Sequence, residues 1–223
     1  MTIAKSLCTA WARNIKLGAA LAVGLLALSL WGCGGKIPPT HYYTLKLAPF
    51  APAVSDPKTT FVLDIQPFRT SENLHDDRIQ YYESPTEFSY YEYHRWNPDP
   101  ASMLAEMTKR RLDEMGLFAH VRLVPSGAPG DYALTARLVN FDELDYEAGG
   151  KARVALDLHL IRTRDKKTVW SDRREVEHSI DAKGVNGVVL ALSAASDQLL
   201  GETLPGLAAE VEREFKENPA KSQ

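Results

Sequence analysis

The sequence predicts an α+β fold: a mainly antiparallel sheet with two helices packed on one face, preceded by a lipoprotein signal peptide. Three observations carry this expectation. Arg153 to Ile161 alternates almost ideally, with Val154, Leu156, Leu158 and Leu160 on one side and Arg153, Asp157 and His159 on the other. A period of two is the mark of a half-buried strand. Two stretches, Pro100 to Met115 and Val185 to Glu217, instead carry apolar residues at helical spacing,. Strands, a helix, a run of strands and a final helix make the α+β order.

The chain begins with Lys5, Arg13 and Lys16 and has no acidic residue before Asp56. Leu17 to Trp31 is apolar or small throughout and uncharged. A spanning helix needs about 20 apolar residues, so this run is short for an anchor and fits a signal peptide over residues 1–32. Leu30-Trp31-Gly32-Cys33 resembles the lipobox of bacterial lipoproteins, with Trp31 in place of the usual small residue. The resemblance implies a diacylglycerol and an N-acyl chain on Cys33, and no other cofactor. Two or more chains anchor stably where one does not, each methylene contributing about 0.8 kcal/mol. Gly34 follows Cys33 where an Asp would favour inner-membrane retention, so the outer membrane is expected. An uncleaved inner-membrane anchor is the plainer alternative.

Removing residues 1–32 takes three of the 26 basic residues and none of the 29 acidic ones, leaving 23 against 29 and a net charge of −6. Such a chain has no general attraction for nucleic acid. Cys8 leaves with the leader, so no intramolecular disulfide is available to the mature chain,. Residues 33–40 read as a lipidated tether, 41–217 as one domain and 218–223 as a flexible tail.

Within the domain, Tyr42–Leu47, Phe61–Gln66, Arg78–Glu83 and Glu87–Tyr93 are strand candidates. The first helix has Asp99 as N-cap, Pro100 at its first position and Gly116 just past its end. Its apolar stripe is Leu104, Met107, Leu112 and Met115. Tyr132–Leu138, Arg153–Ile161 and Thr168–Ser179 form an antiparallel meander, with Asp142–Gly150 as an acidic hairpin connection. The last helix has Val188, Leu192, Leu199, Val211 and Phe215 as its spine. Pro205-Gly206 interrupts it and predicts a kink or two shorter helices.

Chemical motifs are sparse. The spacing of the six histidines lacks the metalloprotease helix pattern, and no nucleophile elbow, phosphate loop or paired-cysteine motif occurs,. No metal site and no enzymatic activity are expected. His159 and His178 fall on adjacent strands, where a solvent-face pair is the plainer reading. Asp142, Glu143, Asp145 and Glu147 lack the ordered pattern of a calcium loop and read as a solvated hairpin tip. Tyr81 to Trp96 holds seven aromatics. They suit either core and edge-strand packing or a partner surface. Tyr90, Tyr93, Arg95 and Trp96 are the candidate partner-binding residues, and Arg95 could instead pair with an acidic neighbour.

Phe88-Ser-Tyr-Tyr-Glu-Tyr-His-Arg-Trp96, a Pro-containing turn and Met103-Leu-Ala-Glu-Met107 together resemble the ABC-type transport auxiliary lipoprotein family (paraquat-inducible protein C-like). Tyr42-Tyr43-Thr44-Leu45, Asp77-Arg78-Ile79-Gln80-Tyr81, Gly116-Leu117-Phe118 and Val169-Trp170-Ser171 resemble its other landmarks in order, covering Tyr42 to Phe215. The resemblance implies an auxiliary or docking component of a system that moves lipids between membranes. Its partner would be the mammalian-cell-entry (MCE) domain protein of an ABC transporter, and its place the periplasmic face of the outer membrane. A homo-oligomer is compatible with that role. A periplasmic lipid-binding protein or an envelope adaptor is the alternative.

Overall fold

The computed structural model describes residues 37–46, 56–123 and 127–217. Residues 1–36, with Cys33 and the first half of the tether, and the 218–223 tail lie outside them. The chain divides between Pro39 and Thr40 into two units, and the sheet and both helices belong to the second.

Nine strands form one mixed sheet: β1 His41–Tyr43, β2 Val62–Ile65, β3 Arg69–Thr70, β4 Arg78–Ser84, β5 Glu87–Trp96, β6 His120–Leu123, β7 Tyr132–Leu144, β8 Lys151–Arg162 and β9 Lys167–Ser179. The longest ladders, β7 with β8 and β8 with β9, are antiparallel, as the meander predicts. Along its other edge β7 pairs in turn with β2, β3 and β4, each parallel. From there the sheet divides, β2 leading to β6 and β4 to β5 and β1. The short strands β3 and β6 have too little periodicity to be read from sequence.

Helix α1, Pro100–Met115, has the predicted bounds. The Asp99 carboxylate accepts from the Ser102 amide at 2.9 Å, satisfying one of the free amides of the first turn,. Gly116 closes the helix at φ 58, a left-handed conformation that glycine adopts without Cβ strain,. Helix α2, Val185–Glu217, is a single helix that runs through Pro205 and not two shorter ones. Proline deprives the Gly201 carbonyl of its helical partner, yet both residues are exposed, so water can replace that bond,. Leu204 and Leu207 on the opposite side remain buried and keep the helix seated. Gly206 has its own reason: a Cβ there would lie 3.3 Å from the Trp170 indole nitrogen, so the glycine makes room for that ring.

Core and helices meet on one side of the sheet. Val154, Leu156, Leu158 and Leu160 are fully buried, as are Leu134 and Leu138 on β7 and Leu192, Leu199 and Val211 on α2. Each such side chain contributes about 1.5–3 kcal/mol of transfer free energy. The two helices are joined by an ion pair between Arg111 and Asp197.

Two expectations about polar residues are corrected. Strand β7 continues to Leu144, so Asp142 and Glu143 are strand residues and only 0% and 6% exposed, not a solvated tip. Each finds a partner across the sheet, which is what offsets their burial. His159 and His178 do not face one another: β8–β9 register sets His159 opposite Ser171 and His178 opposite Ala152.

Candidate functional site: the β4–β5 hairpin

Strands β4 and β5 pair antiparallel around the turn at Pro85-Thr86, setting Tyr82 opposite Phe88 and Gln80 opposite Tyr90. Alternation divides the aromatics between two faces as far as Tyr91, and an irregularity between the Gln80–Tyr90 and Arg78–Arg95 pairs resets it before Trp96,.

The inner face belongs to the core. Trp96 is 4% exposed and packs edge-on to Phe141 at 5.2 Å between ring centres. Trp96 is therefore a core residue, and its candidacy for a partner surface is withdrawn. Tyr91 donates its hydroxyl to the Glu143 carboxylate at 2.7 Å and packs on Tyr81 at 4.7 Å. Burial raises the pKa of the Tyr91 phenol, and Glu143 raises it further. Burial likewise raises Glu143, with the Tyr91 hydrogen bond opposing. Beside them, His94 accepts from or donates to the Tyr43 hydroxyl at 2.8 Å and stacks on His41 at 5.3 Å.

The outer face is an alternating ladder of cations and rings. Arg78 lies over Tyr90 at 4.6 Å, Tyr90 meets Phe88 edge-on at 5.7 Å, and Phe88 meets Tyr82 at 5.8 Å. Arg153 then lies over Tyr82 at 5.2 Å. Both end cations are held in place. Arg78 pairs with Asp76 and Glu92, each at 2.8 Å. Its hydrogen bond holds the Asp76 carboxyl down at about 2. Arg153 donates to fully buried Asp142 at 2.9 Å. Burial pushes the Asp142 pKa up, and Arg153 works against that shift. Tyr90 is pinned by donating its hydroxyl to the Asn73 carbonyl at 3.1 Å. Phe88, at 44% exposed, stands at the centre with its neighbours fixed around it.

Of the remaining candidates, Tyr93 is half-buried and Arg95 pairs with Asp77, the internal partnering the sequence left open. The sequence did not single out Arg78, Tyr82, Phe88 or Arg153. Their assembly depends on the β4–β5 and β7–β8 registers. With Ser84 opposite Glu87 a regular hairpin would set Tyr82 opposite Ser89, and it is the irregularity between Tyr82 and Ser84 that sets it opposite Phe88,.

A second feature is an apolar cleft of about 450 Å³ between α1 and the β2–β3 connection, lined by Leu45, Ile65, Phe68, Met103, Ala105 and Leu123. The hairpin aromatics do not line it. Among the described residues no three histidines, cysteines or carboxylates gather as metal ligands. No described helix is long and apolar enough to cross a membrane.

An α+β domain with a mixed sheet, two helices and a partnered aromatic hairpin defines the class. The family model for the ABC-type transport auxiliary lipoprotein component matches residues 43–202, and the chain belongs to that family. The chain is similar in fold to a protein from Xanthomonas campestris, with 19% identity, a TM-score of 0.67 and coverage of 81% of this chain and 99% of that one. It is also similar to an uncharacterized protein at 14% identity and a TM-score of 0.57, covering 80% and 99%. None of the curated proteins matches the chain.

Proposed function

We propose that the protein is held at the periplasmic face of the outer membrane by acyl chains on Cys33. There it docks the MCE-domain protein of an ABC system that moves lipids between the two membranes. Membership of the auxiliary lipoprotein family supports the link to an ABC transporter and to the cell envelope. The single observation that carries the docking role is the outer ladder of the hairpin, Arg78, Tyr90, Phe88, Tyr82 and Arg153. Aromatic and arginine side chains already locked by neighbours lose little entropy on binding, and they dominate interface energetics. The proposed role needs no chemical step from this chain.

The test is a photo-crosslinking residue placed at Phe88 in intact cells, with His178 as a control position on β9. A crosslink to an MCE-domain protein from position 88 alone, lost in Cys33→Ala, is the expected result. Equal crosslinking from both positions, or none to such a protein, would overturn the docking face.

A second role, direct binding of an apolar ligand, is favoured by the 450 Å³ cleft beside α1, whose size lies within the usual range for ligand pockets of about 300–1,000 Å³,. Met103→Trp would fill it. Lipid co-purifying with the native protein but not with this variant is expected, and its equal recovery from both would exclude the cleft.

A further inference from the structure

We propose that the groove formed by β3, β7 and β8 binds a phosphoryl group between the guanidinium groups of Arg69 and Arg137. Parallel register makes Arg69 and Arg137 direct neighbours on adjacent strands. Both are exposed and both line a groove of about 720 Å³ with Gln66, Phe68, Thr135 and His159. Like charges set side by side across two strands destabilise a sheet.

Most arginines of the described residues have a carboxylate partner, and this pair does not. Arg78, Arg95, Arg122, Arg153, Arg162 and Arg213 each meet a carboxylate. Arg69 and Arg137 have no ion pair among the described residues. The acidic residue in register with Arg137 is Asp157 on β8, and its carboxylate is turned to Arg173 on β9 at 3.4 Å. Two forked donors are thus left side by side at a groove, with no carboxylate ion-paired to either among the described residues.

A tetrahedral phosphate fits that gap. Its oxygens accept bidentate bonds from each guanidinium, and its charge removes the repulsion between them. Neutral polar groups are present to complete the contacts. Thr135 lies in register with His159, and its hydroxyl reaches only the His159 carbonyl, at 3.5 Å. Gln66 lies at the same groove. The Pro67-Phe68 wall is apolar, which suits an organic phosphate ester as well as the free ion. The shared chemistry is a phosphate group, either free or in a lipid headgroup. None of this depends on the hairpin or on an MCE partner.

The full chain is heated with sodium chloride, with inorganic phosphate at equal ionic strength, and with dihexanoyl phosphatidylglycerol below its micelle concentration. At a tenfold excess over its dissociation constant a bound probe raises Tm by about 3–6 °C. A rise with inorganic phosphate that disappears in Arg69→Gln/Arg137→Gln supports the site and identifies free phosphate as sufficient. A rise only with the short-chain lipid, again lost in the double variant, supports it with the headgroup as the source. In chloride alone Arg137→Gln unfolds no lower than the native chain, because a repulsion has been removed. No rise with either probe, a rise that the double variant keeps, or a Tm loss of several degrees for Arg137→Gln in chloride would each overturn the proposal.

Discussion

Trp96 and Phe88 lie on the same strand, both aromatic, both in the segment richest in such residues. Trp96 is 4% exposed and sits against Phe141, whereas Phe88 is 44% exposed near the hairpin turn. One end of β5 is therefore an element of the core, and the other is a supported surface. Composition treats the two alike. What separates them is the distance along β5 from the body of the sheet: at the Trp96 end β1 pairs with β5, while the Phe88 end reaches past β1 with only β4 beside it. An aromatic cluster in sequence is thus no guide to function until the strands that cover it are known.

The comparison breaks most visibly at Trp96. Trp96→Ala removes a buried ring and leaves a cavity, and it should cost about 3–5 kcal/mol in a urea titration. A loss below about 1 kcal/mol would mean that the inner end is not part of the core.

An intermediate effect is expected at Asp76, which fastens Arg78 at the end of the outer ladder. Its carboxyl is held at about 2, below the ordinary carboxylate range, chiefly by the Arg78 hydrogen bond. A depressed folded pKa contributes stability that is present above the unfolded value and is lost as pH falls toward the folded one. The native chain should therefore lose roughly 1 kcal/mol more than Asp76→Asn between about pH 4 and 2. Parallel acid titrations of the two would show that the outer ladder is not fastened there.

The smallest effect on stability belongs to Phe88. Phe88→Ala removes an exposed ring and should leave the urea midpoint within about 0.5 kcal/mol of native. Its effect should appear instead as a loss of partner crosslinking. A stability cost like that of Trp96→Ala would erase the distinction between the two ends.

Some parts of the molecule were legible in the residues themselves. Helix α1 was bounded by Asp99, Pro100 and Gly116, whose backbone preferences are local. The meander showed itself through a period of two. The overall class and the family landmarks were likewise present in the order of residues. The errors fell where a residue answers to a distant partner. Asp142 and Glu143 look like tip residues because acidic side chains are usually solvated, yet Arg153 and Tyr91 supply bonds that make their burial tolerable,. Pro205-Gly206 looks like a break because local rules forbid proline within a helix. Exposure of Pro205 and Gly201, and the Trp170 ring against Gly206, remove most of that objection.

By itself the sequence determined the uncharged run from Leu17 to Trp31, the excess of acidic over basic residues after Cys33, the α+β class and the ends of α1. Each of these follows from composition or from interactions within a few residues. Only the tertiary structure decided that β7 would be flanked along one edge by three short parallel strands. It alone separated Trp96 from Phe88 and brought Arg69 beside Arg137. The reason is that strand pairing is non-local: register joins residues far apart in the chain, and a shift of one position would turn every side chain to the opposite face.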